Sequence, residues 1–256
     1  MPMDKQILGN GKNEIYRIDN TVLRKGGQWS ESVQTVLAHL HEKGFSYSPK
    51  PLGINQDGYE MQAYLPGESM WHPWSKILRS NNGLVQVANM LRALHDITEN
   101  LELPSSTVWR TMTAPKSRGQ IIRHGDIGPW NTLWQGDKLT GLIDWEFTVP
   151  GKAITDLAQM AWYYIPLRNE AGWRKSGFGQ MPNFLHRLEV ICDTYGKFSP
   201  KEVLVELDRL QQFEINETIT RGNKGEAPWS NWLNSGQIDE FRSENRLLTT
   251  KIIPLL

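Results

Sequence analysis

Five residues in one stretch of the chain, HGDIGPWNTLWQGDKLTGLIDWE, carry side chains that could do chemistry: His124, Asp126, Asn131, Asp144 and Glu146. Asn131 and Asp144 offer the hard oxygen ligands that Mg²⁺ prefers, and Asp126 adds a separate carboxylate. Phosphoryl transfer needs this combination, because magnesium bridges the phosphates while a carboxylate orients the acceptor hydroxyl and takes its proton. We therefore predict Asp126 as the catalytic base and Asn131 and Asp144 as magnesium ligands.

The residues between Asn131 and Asp144 predict the element that brings these two ligands together. A short apolar run follows Asn131, a polar turn spans residues 135–138, and a second apolar run leads back to Asp144, the pattern of two antiparallel strands. The two ends of such a hairpin lie side by side, and a compact loop can bring Asp126 to the same point. Glu146 lies two residues beyond Asp144, so at a strand end it points to the same side and is predicted to assist the metal.

The spacing H-x-D-x4-N, followed by a hydrophobic strand and IDWE, resembles the catalytic and metal loops of kinases. With Gly125 in the middle, it is most similar to the aminoglycoside phosphotransferase and choline kinase superfamily. The resemblance implies an α+β, two-lobed protein-kinase-like fold. It also implies an enzyme that transfers the γ-phosphate of ATP or GTP to a hydroxyl of a small molecule. His124 belongs to the catalytic loop, where we predict that it fixes the loop, because Asp126 already fills the position of the base.

The N-terminal segment predicts three strands, with glycines at the first turn. Gly9 and Gly11 flank Asn10, and a glycine hairpin lets backbone amides approach nucleotide phosphates closely. The third strand ends in Arg24 and Lys25, one of which should hold the α- and β-phosphates. Successive strand side chains point to opposite faces, so alternation cannot choose between them. The resemblance favours Arg24, since relatives often show a basic residue at this place in the strand.

The next segment predicts an amphipathic helix that ends at Gly44. Its apolar stripe consists of Val33, Val36, Leu37 and Leu40. Protein kinases and many relatives place on this helix a glutamate that pairs with the strand cation. Here Val33 occupies the usual position, and the nearby acid is Glu31. Two alternatives stay open: Glu31 substitutes from the first turn, or the cation is held by phosphate alone.

A strand predicted over residues 59–65 leads into Pro-Gly-Glu. By its order along the chain, this strand is the last of an N-terminal nucleotide-binding lobe, residues 1–67, and carries the hinge. Backbone N–H and C=O groups of Gln62, Ala63 and Tyr64 are predicted to bond adenine. Residues 68–256 are predicted to form a larger, mainly helical lobe for catalysis and acceptor binding.

Helical patterns fill most of that second part. Apolar spacing predicts a helix around residues 84–94, and Thr155 is predicted to cap the helix after IDWE. A helix should end at Gly196, a capping box with proline at the first position should begin the next at Ser199, and a last helix should run over 237–248.

The amino-acid composition limits the classes of partner that this protein can be expected to bind. The 256 residues include 28 basic and 28 acidic side chains, so no overall field points to nucleic acid or to a membrane surface. The single Cys192 excludes internal disulfides. The N-terminus lacks the apolar segment of a signal peptide, and no stretch approaches membrane-spanning length. We expect the protein to be cytoplasmic, because ATP is found in the cytoplasm. We also expect it to be a monomer or a weak homodimer.

The acceptor is the least determined feature. Eleven residues separate Asp144 from Asp156, too few for a peptide-binding activation segment, so a small-molecule acceptor is favoured. Aminoglycosides would call for an acidic pocket, yet acids and bases balance from Pro166 onward. Choline would call for an aromatic cage, which eleven tryptophans permit. The alternative function is a catalytically silent nucleotide-binding regulatory module, whose expected loss of the catalytic or metal residues is not observed.

Overall fold

The computed structural model describes residues 5–8, 15–111 and 116–256. Gly9 and Gly11 lie outside the described residues. The chain divides into two compact units, one comprising residues 1–70 and 89–153 and the other comprising 71–88 and 154–256. The predicted boundary at residue 67 stays a prediction.

The first unit contains a five-stranded antiparallel sheet whose order is β1-β2-β3-β5-β4. Its strands are β1 (Lys5–Ile7), β2 (Ile15–Ile18), β3 (Thr21–Lys25), β4 (Pro51–Ile54) and β5 (Tyr59–Ala63). The three predicted N-terminal strands are confirmed, and Asp19, at φ 51°, forms the turn between β2 and β3.

Helix α1 (Ser30–Glu42) confirms the predicted amphipathic helix. All four residues of its apolar stripe are buried, whereas Glu31 is exposed. Gly44, at φ 77°, follows the helix end, where a left-handed residue satisfies the last carbonyls at little cost. Val33 therefore faces the core, and α1 presents no acid there.

Two smaller sheets complete the strands of the first unit. They are formed by β6 (Glu68–Ser69), β7 (Ile121–Arg123), β8 (Thr132–Gln135), β9 (Lys138–Leu142) and β10 (Val149–Gly151). The β8–β9 pair is the predicted hairpin, and β7 pairs with β10. The ladder is shorter than predicted, because Asn131 lies in a 3-10 turn and Asp144 lies beyond the end of β9. Even so, the Ile143 N–H donates to the Asn131 carbonyl at 2.9 Å, so the two chain ends run side by side as predicted.

Helices make up the remainder. They are α2 (Lys76–Arg79), α3 (Asn81–Thr98), α4 (Ala153–Tyr164), α5 (Glu170–Lys175), α6 (Phe184–Tyr195), α7 (Pro200–Gly222), α8 (Trp229–Asn234) and α9 (Gln237–Leu247), followed by a π-helical turn (Leu248–Ile252) and a 3-10 turn (Ile253–Leu255). No helix within the described ranges is both long and apolar enough to cross a lipid bilayer.

The predicted helix boundaries of the second unit can be compared with its caps. Gly196 ends α6 in the left-handed conformation, and Ser199 and Glu202 form the predicted capping box of α7. The cap predicted at Thr155 is wrong. Helix α4 begins at Ala153, and the Thr155 hydroxyl donates to Glu206 Oε1 at 2.6 Å, so a hydroxyl that could have capped a helix instead bonds across to α7.

Candidate active site

The Asp126 carboxylate is held by the loop that follows β7. Its Oδ2 accepts hydrogen bonds from Asn131 Nδ2 at 2.8 Å and from Trp130 Nε1 at 3.2 Å. Asn131 Nδ2 also donates to the Asp126 carbonyl at 2.9 Å. Because the amide nitrogen of Asn131 is used in this way, its Oδ1 is the atom that can serve a cation. The loop thus brings the predicted base and one predicted metal ligand together, as the five-residue spacing indicates.

The His124 side chain is hydrogen-bonded to two backbone segments, at Asp126 and at Ile143. Its ring is fully buried and packs edge-on against Trp145, with the ring centroids 4.8 Å apart. Nδ1 accepts from the Asp126 N–H at 3.3 Å, so Nε2 carries the proton and donates to the Ile143 carbonyl at 3.0 Å. With both ring nitrogens bonded to backbone, His124 connects the catalytic loop to the strand that leads to Asp144.

Gly125 allows the catalytic loop to touch the segment after Asp144. Its φ is 80°, and a Cβ built there would lie 2.3 Å from the Phe147 carbonyl oxygen. Both the left-handed backbone and the close approach require glycine. The central residue of the HGD triplet is therefore a packing requirement between two loops.

Asp144 and Glu146 both pair with Arg24. Asp144 has a left-handed backbone with φ 66° and opens a 3-10 turn (Trp145–Phe147). Arg24 Nη1 lies 2.7 Å from Asp144 Oδ1, and Arg24 Nη2 lies 2.8 Å from Glu146 Oε2. Glu146 was expected to share a side with Asp144 at a strand end. The two carboxylates do converge, but a tight turn places them, not a strand.

These ion pairs set the proton affinities of the group. Burial lowers the pKa of Arg24, and the carboxylates of Asp144, Glu146 and Glu60 raise it by more, so Arg24 is firmly cationic. Burial raises the pKa of Glu146, and the charges of Arg24 and Arg110 act in the opposite direction. The two guanidiniums thus oppose the burial that raises the pKa of Glu146.

Arg110 is a member of the site that sequence reasoning missed. Its Nη1 forms an ion pair with Glu146 Oε2. The guanidinium lies over the rings of Trp29 and Phe147, 4.8 and 4.7 Å from their centroids. Stacking between two aromatic faces and a carboxylate contact hold a guanidinium firmly. Arg110 is in a segment without periodicity, so no pattern marked it.

Glu60 is the second missed member. It is a buried acid in β5, 2% exposed, directly opposite Arg24 in the β3–β5 ladder. Burial raises its pKa, while the Ser30 hydroxyl and then the charge of Arg24 lower it. A glutamate at an inward position of an alternating strand was a signal that could have found it, because buried acids are rare without a partner.

The pairing register of β3 with β5 distinguishes the environments of Arg24 and Lys25. Arg24 is on the face that carries Glu60, whereas Lys25 is exposed and donates to the Asp57 carbonyl at 3.1 Å. We predict that Arg24→Ala weakens ATP binding about tenfold or more, the worth of one charge-assisted contact, while Lys25→Ala changes it little. Calorimetric titration of both variants with magnesium and ATP measures this. The reverse ranking would contradict the assignment of Arg24.

Some backbone groups of the predicted hinge residues already form hydrogen bonds within the chain. The N–H groups of Ala63 and Tyr64 donate to the carbonyls of Lys50 and Asn20, at 2.8 and 2.9 Å. The Gln62 side chain is buried, and its Nε2 finds no hydrogen-bond partner among the residues that the structure describes. Two of the backbone donors assigned to adenine are thus already engaged. The prediction that this segment bonds adenine therefore stays a prediction for the remaining backbone groups of Gln62, Ala63 and Tyr64.

Comparison with known proteins adds family and fold. A sequence profile of the phosphotransferase enzyme family matches residues 107–180. A trifolitoxin immunity protein of Rhizobium leguminosarum bv. trifolii is 31% identical over 223 residues, which make up 85% of this chain and 83% of that protein.

Two solved structures illustrate the fold. A choline kinase from Cryptosporidium parvum Iowa II has a TM-score of 0.63 and 13% identity, covering 99% of this chain and 92% of the kinase. A spectinomycin phosphotransferase, solved with ADP and spectinomycin, has a TM-score of 0.56 and 14% identity, covering 96% of this chain and 92% of that chain. These likenesses confirm the predicted kinase-like α+β fold.

Proposed function

Because the chain belongs to the phosphotransferase enzyme family, we propose that it transfers the γ-phosphate of ATP or GTP to a hydroxyl of a small molecule. One observation carries the proposal. In one loop, the Asp126 carboxylate is hydrogen-bonded to Asn131. In a second segment, Asp144 and Glu146 form ion pairs with Arg24. The loop contacts that segment through Gly125 and His124. The residues proposed as base, oxygen ligands and phosphate-binding cation come from separate parts of the sequence and lie within one unit, which supports the proposal.

Asp126 is the proposed base. Its carboxylate is half-buried, and the amide of Asn131 and the indole of Trp130 fix one of its oxygens. A carboxylate held in this way can orient an acceptor hydroxyl and take its proton as the phosphoryl group transfers. His124 keeps the loop in place and moves no proton, because both its nitrogens serve the backbone.

Asn131, Asp144 and Glu146 are the proposed holders of magnesium. The donor set fits the ion, since it combines an amide oxygen with carboxylates, and Mg²⁺ is commonly bound by one or two carboxylates with substrate phosphates. When bound, the ion neutralises the phosphate oxygens. The described residues contain no group of three His, Cys, Asp or Glu side chains that could hold a metal by themselves. The amide of Asn131 and the nucleotide would therefore have to complete the shell.

Arg24 is the proposed phosphate ligand. Its planar guanidinium can contact two phosphate oxygens at once, which a lysine ammonium cannot do. The spectinomycin phosphotransferase of the same fold was solved with ADP, which supports a nucleotide as the phosphate donor.

A screen of acceptors tests the proposed function. Alcohols, aminoglycosides and sugars are offered with magnesium and either ATP or GTP, and release of ADP or GDP is measured. The expected result is acceptor-dependent release with at least one class, which disappears in Asp126→Asn. Release that is absent with every acceptor, together with no binding of either nucleotide, would overturn the proposal.

Removal of a proposed metal ligand gives a further prediction. A nucleotide that binds only the folded state raises the melting temperature, by an amount that depends on its concentration relative to Kd. We expect Asp144→Ala to abolish the part of the ATP-induced rise that depends on magnesium, as measured by thermal unfolding with and without EDTA. Asp137→Ala, which changes an exposed residue in the turn of the same hairpin, is the control and should keep it. An undiminished magnesium-dependent rise in Asp144→Ala would remove this residue from the metal site.

The trifolitoxin immunity protein favours a second candidate function, protection of a cell from a toxin. The test is the growth of trifolitoxin-treated cells that express either the parent protein or Asp126→Asn. Protection by the parent alone would mean that immunity uses phosphoryl transfer. Equal protection by both would favour a catalytically silent module, and no protection by either would exclude the immunity function.

A further inference from the structure

We propose that Glu60 is the positioning residue for Arg24, holding the guanidinium in place when Asp144 and Glu146 engage metal and nucleotide. The proposal rests on the proposed function for the roles of those two carboxylates. It assigns to strand β5 the acid that kinases carry on the helix after β3, where this chain has Val33.

The register of the sheet places Glu60 beside Arg24. The two residues are Cα partners in the antiparallel β3–β5 pair, and side chains directly opposite in such a pair lie on the same face of the sheet. Glu60 is 2% exposed and the Arg24 side chain 12%. The carboxylate and the guanidinium therefore share one buried face of the sheet.

The start of α1 fixes the Glu60 carboxylate. The Ser30 hydroxyl donates to Glu60 Oε1 at 2.6 Å, and it accepts from the Gly27 N–H at 2.8 Å. A Cβ at Gly26 would lie 2.6 Å from Ser30 Oγ and 2.9 Å from the Gly58 carbonyl oxygen. Glycine is required at that position for Ser30 to reach Glu60, so the entry to α1 is built around this contact.

The balance of charge gives Glu60 its function. Asp144 and Glu146 contact the Arg24 guanidinium, Glu146 also contacts Arg110, and Glu60 lies opposite Arg24 in the β3–β5 pair, where its charge also acts on Arg24. In the structure Asp144 and Glu146 compensate Arg24, and Glu60 bonds Ser30. If Asp144 and Glu146 bind a metal ion, they compensate the charge of the Arg24 guanidinium less. A buried cation without a compensating charge is strongly unfavourable. Among the described acids whose charge acts on Arg24, Glu60 is then the one left to supply this compensation, since Glu31 is exposed.

The first test needs no ligand. Asp144→Asn with Glu146→Gln imitates the loss of both partners of Arg24. In the parent, Glu60→Gln should change the melting temperature by less than about 2 °C, because Arg24 keeps two carboxylates. In the double-substituted background it should lower the melting temperature by about 5 °C or more, because the buried guanidinium has then lost all three carboxylates that the described residues place near it. Glu31→Gln is the matched control and should have little effect in either background.

Equal, small shifts in both backgrounds would overturn the proposal, whatever the protein does with nucleotides. Should the double-substituted background not unfold cooperatively, Asp144→Asn alone serves as the background. The same contrast with Glu60→Gln is expected there, at about half the size, because Glu146 remains on Arg24.

The second test uses a non-hydrolysable ATP analogue with magnesium. Glu60→Gln should raise its Kd about tenfold, and Glu31→Gln should not. The effect should vanish in an Arg24→Ala background, because Glu60 acts through Arg24. An effect that persists there would mean a structural role instead and would overturn the proposal. A parent that binds no nucleotide would refute the proposed function, while the ligand-free test would still decide the role of Glu60.

Discussion

Asp126→Asn should bind nucleotide nearly as well as the parent, and its turnover with any acceptor should fall about 100-fold or more, the usual worth of a positioned base. The substitution keeps the shape of the side chain. An asparagine oxygen can still accept from Asn131 Nδ2 and Trp130 Nε1, so the loop should keep its conformation. What is lost is the ability to take a proton from the acceptor hydroxyl.

Steady-state turnover with the best acceptor of the screen and calorimetric titration with nucleotide measure the two halves of this prediction. Asp137→Asn, in the exposed turn of the hairpin, makes the same chemical change away from the site and should leave both unchanged. Turnover of Asp126→Asn within a few-fold of the parent would mean that Asp126 is not the base. Loss of nucleotide binding would mean that its carboxylate belongs to the metal site instead.

The parts of the site that the sequence predicted are those whose geometry is local. Asp126 and Asn131 are five residues apart, and one compact loop suffices to bond their side chains. Asn131 and Asp144 are joined by a short hairpin, whose apolar alternation and polar turn dictate antiparallel pairing. In both cases the chain between the residues is too short to allow many other arrangements.

The parts that the sequence did not predict depend on contacts between distant segments. Arg24 and Asp144 are 120 residues apart, and nothing in either segment indicates that they form an ion pair. Glu60 joins them because β3 pairs with β5, and Arg110 because its guanidinium stacks between two aromatic rings. Strand order and loop path are set by tertiary packing, which periodicity does not encode.

Helix ends show the same division. The capping box of α7 was predictable, because both of its hydrogen bonds join residues three positions apart. The start of α4 was not, because the Thr155 hydroxyl bonds Glu206, 51 residues away, in place of its own helix. A local cap competes with whatever partner the fold supplies.

Arg187, in α6, connects its own helix to α2 and α4 through hydrogen bonds to their backbone carbonyls. It is 4% exposed, and its Nη2 donates to the carbonyls of Leu78 and Tyr164, at 3.1 and 2.8 Å, while Nη1 donates to that of Arg79 at 2.8 Å. These acceptors lie at the ends of α2 and α4, where helical carbonyls have no partner within the helix. The guanidinium also lies over the Phe178 ring, 5.3 Å from its centroid.

Replacement of this side chain should therefore destabilise the protein more than any other substitution proposed above. Burial lowers the pKa of Arg187 to about 10, so the group is still charged at neutral pH and makes charge-assisted bonds to all three carbonyls. Arg187→Met keeps much of the apolar stem but removes the guanidinium that donates to these three carbonyls. The expected cost is about 3 kcal/mol or more, which corresponds to a fall in melting temperature of about 6–12 °C.

Urea and thermal unfolding of Arg187→Met measure that cost, and Arg209→Met is the matched control. The Arg209 side chain is 71% exposed and lies 3.7 Å from Glu206, an ion pair expected to contribute less than about 1 kcal/mol. Arg187→Lys should fall between the two, because one ammonium carries the charge but cannot reach three carbonyls with the planar geometry of a guanidinium. A loss in Arg187→Met no larger than in Arg209→Met would mean that the three carbonyls find other donors. Catalysis in the surviving folded fraction should be unchanged, which separates this structural effect from that of Asp126→Asn.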